Sequence, residues 1–202
     1  MSENNHRPVL IIIAGPNGSG KTSITSKLLN HEWLENSIYI NPDIIAQEKF
    51  GDWNSKEAIM QSVLYCEEIR EKCLKEKQSL IFETVLSAPD KIDYIKRAKA
   101  AGFFIRLFFV STETPIINAA RIAKRVMEGG HDVPISKVVS RYQRAISNAL
   151  IASKIVDRSY FYDNSIDNQE ARLLFRTTDG NLAKKYQQEI PLWATNILES
   201  LQ

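Results

Sequence analysis

The chain has little of what staples or ligates. Its 202 residues include two cysteines, Cys66 and Cys73, and three histidines, His6, His31 and His131. The cysteines stand seven residues apart in one continuous helical pattern, which puts their Cα atoms about 10 Å apart. That is beyond disulfide reach, and both thiols are expected to face the core. With no CxxC pair and scattered histidines, neither a disulfide framework nor a zinc site is supported. The polar start from Met1 to Pro8 leads into an apolar stretch too short to span a bilayer and without a cleavage site, so a cytoplasmic protein with no membrane partner is expected. Charge of one sign is missing too: 26 basic residues face 24 acidic ones, which gives no general case for nucleic acid, and any basic site must be local. Repeats, linkers and low-complexity segments are absent. With 44% hydrophobic residues, the composition fits one domain over residues 1–202.

What is present begins with Val9-Leu10-Ile11-Ile12-Ile13-Ala14, an apolar run that enters Gly15-Pro16-Asn17-Gly18-Ser19-Gly20-Lys21-Thr22. This is a strand feeding a loop of the pattern G-x-x-x-x-G-K-T, followed by a helical stretch from Thr22 to Leu29. In such a loop the glycines let backbone N–H groups converge on phosphate oxygens, Lys21 reaches the terminal phosphates and the Thr22 hydroxyl can bind Mg²⁺. The helix dipole favours the same anion. Gly15 to Thr22 are therefore expected to bind ATP, with Mg²⁺ held at Thr22.

Further β-rich runs at Ser37 to Ile40, Ser79 to Thr84, Phe103 to Val110 and Ser159 to Tyr162 alternate with helical stretches, the rhythm of a parallel sheet. The clearest helix spans Ser55 to Lys77, with Ile59, Val63, Cys66, Ile69 and Cys73 inward and Glu67, Glu68, Arg70, Glu71 and Lys72 outward. Another runs from Pro134 to Val156 and carries Lys137, Arg141 and Arg144. A last one is expected at about 182–201, interrupted by Pro191.

In open parallel sheets ligands lie beyond the carboxyl ends of the strands. Asp43, in Asn41-Pro42-Asp43, is the candidate base for deprotonating an attacking hydroxyl. The lesser alternative is a helix N-cap, and the two roles can coexist. Glu83, in Phe82-Glu83-Thr84, could organise Mg²⁺ through water or hold the acceptor; the alternative is a salt bridge to a nearby Lys or Arg. Residues 115–137, with Arg121, Lys124, Arg125, Gly129-Gly130 and His131, read as a helical lid with a glycine hinge. A lid arginine would neutralise the transferring phosphoryl group, while a solvated basic face is the bland alternative.

The ordered set of the loop, Asn41-Pro42-Asp43, Phe82-Glu83-Thr84, Arg125 with Gly129-Gly130-His131, and Tyr162-Asp163-Asn164-Ser165 resembles the zeta toxin family over residues 8–165. The resemblance implies an α/β, P-loop kinase-like three-layer fold with a mainly parallel central sheet and a helical lid. It implies Mg·ATP-dependent phosphorylation of a hydroxyl on a UDP-activated amino sugar, UDP-N-acetylglucosamine, and restraint by a cognate antitoxin. Carried over by position, Lys21 and Thr22 match the loop, Asp43 the base, Glu83 the substrate-binding acid and Arg121 the first lid arginine. Thr84 and His131 are counted with Glu83 as acceptor-binding, and Arg125 with the catalytic group. The chain departs from the better-known members in having Val85 and Ser87 where they carry a threonine and an arginine, and His131 where they carry a second lid arginine. Arg125, Arg141 and Arg144 are possible stand-ins. A motor or transporter ATPase lacks its LSGGQ signature here, and a GTPase its NKxD motif. A kinase for another small metabolite, or a nucleotide-binding regulator without turnover, remains as the alternative.

Overall fold

A computed structural model describes residues 7–28, 37–51, 55–130 and 132–201. Its strands are β1 (Val9–Ala14), β2 (Ile38–Ile40), β3 (Leu80–Thr84), β4 (Phe104–Ser111), β5 (Arg158–Asp163), β6 (Arg172–Thr178) and β7 (Asn181–Lys185). They form one sheet in the order β2-β3-β1-β4-β5-β6-β7. Strands β1 to β5 pair in parallel, while the β5–β6 and β6–β7 pairings are antiparallel. Strand β1 lies between β3 and β4, so its run of isoleucines is covered on both faces, and Leu10 to Ala14 are fully buried.

The helices are α1 (Lys21–Leu28), α2 (Pro42–Phe50), α3 (Lys56–Glu76), α4 (Pro89–Ala100), α5 (Pro115–Met127), α6 (Ile135–Ser153) and α7 (Leu192–Glu199). Helices α3, α4, α6 and α7 cover one face of the sheet. Their Cys66, Ile95, Ala149 and Trp193 join Phe82, Phe109 and Phe161 in the larger core. Each such phenylalanine contributes about 1.5–3 kcal/mol through burial. On the other face Ile24 of α1 packs on Ile11, Ile13, Ile81 and Phe108. Among the described residues α1 is the one helix of that layer, so the three layers are unequal. This is the α/β architecture with a mainly parallel central sheet.

Three sequence expectations are corrected. Residues 182–201 do not form one helix: β7 occupies Asn181–Lys185, and only Leu192–Glu199 is helical. The cause is the turn at Asp179 (φ 48°) and Gly180 (φ 77°), between the paired Thr178 and Asn181. An Asp-Gly turn with two positive φ angles matches the twist of a hairpin and reverses the chain. Arg70 does not lie outside α3. It is buried, with its guanidinium over the Phe82 and Tyr94 rings. The inward face of α3 is turned accordingly, through Ala58, Ser62, Cys66, Arg70 and Cys73, and Val63 is exposed. Both cysteines are free and buried as expected, and burial pushes the Cys66 thiol up to about 11.

Candidate active site

The loop after β1 is built by backbone conformations that side chains disfavour. Gly18 and Gly20 have φ of 77° and 92°. A Cβ on Gly18 would lie 2.6 Å from the Asn118 carbonyl oxygen, and one on Gly20 would lie 2.1 Å from Asn164 Nδ2. Both asparagines brace the loop from behind. Asn118 of α5 donates to the Asn17 carbonyl at 2.6 Å, and Asn164, just after β5, donates to the Ser19 carbonyl at 2.9 Å. The Gly18 and Gly20 N–H groups meet no protein acceptor among the described residues. The Oγ of Ser19 and the Oδ1 of Asn17 are buried without a hydrogen-bond partner. A cradle of unused N–H groups at a helix N-terminus suits phosphate.

Lys21 folds back over this cradle, its Nζ donating to the carbonyls of Gly15 (2.9 Å) and Pro16 (3.1 Å). Burial holds its pKa below the ordinary lysine value, while Glu83 and Asp43 pull it up and Arg125 opposes them. Those influences are the signature of a convergent site. A cavity of about 180 Å³ is lined by Asn17, Gly18, Gly20, Lys21, Thr22, Asp43, Glu83, Arg121, Ile122 and Arg125. The fold thus brings together the P-loop, both strand-end acids and both arginines named from the sequence.

Glu83 owes its position to register: it pairs with Ile13, two residues ahead of the loop. Its side chain is buried, and Oε1 accepts from Thr25 (2.6 Å) and Tyr39 (2.7 Å). Two hydroxyl donors, rather than a salt bridge, compensate the buried carboxylate. The Tyr39 hydroxyl in turn accepts from Asn41 Nδ2 at 3.0 Å. Burial and the Glu83 bond raise the Tyr39 pKa. Asn41 is the N-cap of α2, its Oδ1 accepting from the N–H of Asp43 (2.9 Å) and Ile44 (3.4 Å). The cap reading for Asp43 is therefore corrected: Asn41 caps the helix, and the exposed Asp43 carboxylate faces the cavity. Sequence reasoning missed Thr25, Tyr39 and Asn118. Only their tertiary neighbours distinguish them.

Arg121 is paired with Asp167, its Nε and Nη2 lying 2.7 and 2.6 Å from Oδ1. Arg125 stands one helical turn on, at the end of α5. Gly129 (φ 84°) and Gly130 close that helix, the Gly130 N–H donating to the Arg125 carbonyl at 2.9 Å. The glycine pair is thus a helix cap. Thr84 accepts from the Leu86 N–H and is not among the cavity residues, nor are Arg141 and Arg144. His131 lies outside the described residues. A second cleft, of about 460 Å³, adjoins the first through Gly20 and Arg121 and extends over Ile24, Asn164, Asp167 and Ala171.

Thr22, exposed at the first turn of α1, offers a hydroxyl beside two carboxylates. That all-oxygen set fits Mg²⁺ held largely by phosphate and water, and no cluster of three or more His, Cys, Asp or Glu forms a metal cage among the described residues.

The sequence profile of the zeta toxin family, described as "Zeta toxin", matches residues 1–175. The chain belongs to the zeta toxin family. A Haemophilus influenzae protein, described as uncharacterized, is 30% identical over 132 residues, covering 65% of this chain and 91% of its own. The fold is similar to that of the AvrRxo1-ORF1:-ORF2 crystal structure with ATP (TM-score 0.67, 18% identity), covering 89% of this chain and 61% of that one. This chain thus spans about three fifths of that longer protein. It is also similar to the PezAT chromosomal toxin-antitoxin system of Streptococcus pneumoniae (TM-score 0.56, 15% identity), with 98% and 79% coverage. No described helix is long and apolar enough to cross a membrane.

Proposed function

We propose that this zeta toxin family member is an ATP-dependent phosphotransferase whose acceptor is a hydroxyl of UDP-N-acetylglucosamine. The convergence of Lys21, Asp43, Glu83, Arg121 and Arg125 on one cavity beside the P-loop carries this reading. The loop N–H groups and Lys21 would hold the triphosphate, and the adjoining cleft over Ile24 and Asn164 would take the nucleoside. The Asp43 carboxylate would accept the proton of the attacking hydroxyl. The acceptor oxygen then forms its bond to the γ-phosphorus as the bond to the bridging oxygen breaks, and ADP leaves. Mg²⁺, when bound at Thr22, would supply charge neutralisation at the phosphate oxygens. A lid arginine contributes on the order of 10³–10⁵ in rate, or about 4–7 kcal/mol. Residues 115–137 would act as the lid of a single domain spanning 1–202, and Glu83, Thr84 and His131 would orient the acceptor.

The family and the toxin-antitoxin systems among the similar folds support a toxin restrained by an antitoxin; a cytoplasmic place of action is part of the proposal. A second reading, a kinase for another small metabolite, is favoured by Val85 and Ser87, which change the polar groups beside Glu83. The test is incubation with Mg·ATP and a panel of UDP-sugars and simple metabolites, with products followed by mass spectrometry and Lys21→Ala as control. A phosphorylated UDP-amino sugar made by the parent alone is the expected result. Phosphorylation of another metabolite in its place selects the second reading. Nucleotide binding with no acceptor of the panel phosphorylated counts against UDP-N-acetylglucosamine and leaves an acceptor outside the panel or a regulator without turnover.

A further inference from the structure

The uneven layering leaves a surface that the kinase reading does not use. On the α1 side the apolar cluster runs from Ile24 through Phe108 to the buried Tyr160, whose ring stacks on Phe108 at 4.7 Å, and the parts of β4 to β7 beyond it carry a mixed cationic and aromatic face. Registry places Arg106 beside Arg158, and Tyr160 beside Arg176, which in turn pairs with Lys184. The guanidiniums of Arg106 and Arg158 lie 4.6 and 5.6 Å from the Phe104 ring centre. Lys184 lies 4.9 Å from the centre of the Tyr186 ring, which is 40% exposed. Tyr162, half-buried, lies two residues on from Tyr160 along β5.

Arg158, Arg176 and Lys184 make no ion pair with a described carboxylate, and the Nε of Arg176 is buried without a hydrogen-bond partner. The nearby Asp157 is occupied by Arg7, Lys99 and the Ile105 N–H. In a chain of net charge +2 this is a local concentration of positive charge.

We propose that this face binds single-stranded nucleic acid with little sequence preference. Cations on the face would follow the phosphates, while the exposed Tyr186 ring and the guanidinium planes offer the flat surfaces on which bases stack. Four strands give a platform about 14 Å wide. An acidic protein partner fits less well, because a protein interface needs a desolvated apolar anchor and this face presents rings ringed by charge. The proposal is independent of the acceptor and of turnover.

The experiment is fluorescence polarisation of a labelled single-stranded oligouridylate and a mixed-sequence strand, titrated with the full chain between about 50 and 200 mM salt. The expected dissociation constant is on the order of 10⁻⁵ M, similar for the two strands, with a log–log salt slope of about −2 for the three cations Arg158, Arg176 and Lys184. Arg158→Glu with Lys184→Glu weakens binding at least about tenfold, and Lys184→Ala alone lowers the slope by about 0.7. The exposure of Lys184 keeps the second variant folded. Tyr186→Leu weakens binding about tenfold while leaving the slope in place. Lys21→Ala binds the strand as the parent does, and the face variants bind Mg·ATP as the parent does. No binding, binding indifferent to the face variants, or binding lost in Lys21→Ala overturns the proposal. Equal competition by polyglutamate also overturns it and assigns the face to an acidic protein.

Discussion

Asn164 and Gly20 occupy each other's space: the Asn164 amide nitrogen stands 2.1 Å from where a Gly20 Cβ would be, and the same nitrogen donates to the Ser19 carbonyl. The end of β5 therefore moulds the phosphate loop directly. The absence of a side chain at position 20 is what permits the brace.

Gly20→Ala should be among the most damaging single-methyl changes in this chain. A non-glycine residue at φ 92° costs about 1–3 kcal/mol by itself, and the clash adds to it. Urea unfolding of Gly20→Ala, Asn164→Ala and the double variant separates the two terms. The double variant should recover the steric part and keep the backbone part, and additive losses would show that the two residues are not coupled.

Tyr39→Phe removes one of two hydroxyls that Glu83 accepts. A hydrogen bond to a charged group is worth about 1.5–3 kcal/mol, and the half-exposed site should place the loss at or below the lower end. Urea denaturation measures it. Thr25→Val, which removes the other hydroxyl donor from the α1 side, should lower stability in the same direction.

Asp167→Asn should leave stability within about 1 kcal/mol of the parent, because Asp167 is 72% exposed and the pair is solvent-screened. Its effect on the nucleotide is the more informative quantity. Releasing Arg121 toward the phosphate cavity should tighten Mg·ATP binding by up to about fivefold, as measured by calorimetry. Weaker binding would mean that Asp167 holds Arg121 in its working position.

Acid should act through Asp157. Burial pushes its carboxyl up, but the Ile105 N–H, Lys99 and Arg7 outweigh burial and hold it below the ordinary carboxylate value. A depressed folded-state pKa stabilises at pH above the unfolded value of about 3.9, and that contribution is lost as pH falls through the folded value. Thermal melts should therefore show the parent losing stability more steeply than Asp157→Asn below about pH 4. Parallel curves would remove Asp157 from this role.

The amino-acid sequence alone determined the phosphate loop, the βα alternation and the two strand-end acids, because each is a local pattern: glycines where φ is positive, apolar runs of strand length, and polar residues where those runs stop. It also carried the Asp179-Gly180 hairpin signal, which the helical reading of residues 182–201 passed over. Pairing partners are set by the packing of distant segments, so the tertiary structure alone decided the rest. It put Tyr39 and Thr25 on Glu83, Asn118 and Asn164 behind the loop, Arg121 on Asp167 and Arg70 inside. It also decided which face of β4 to β7 the described helices cover, since burial on one side depends on where α3, α4, α6 and α7 dock, a choice that no periodicity within those strands expresses.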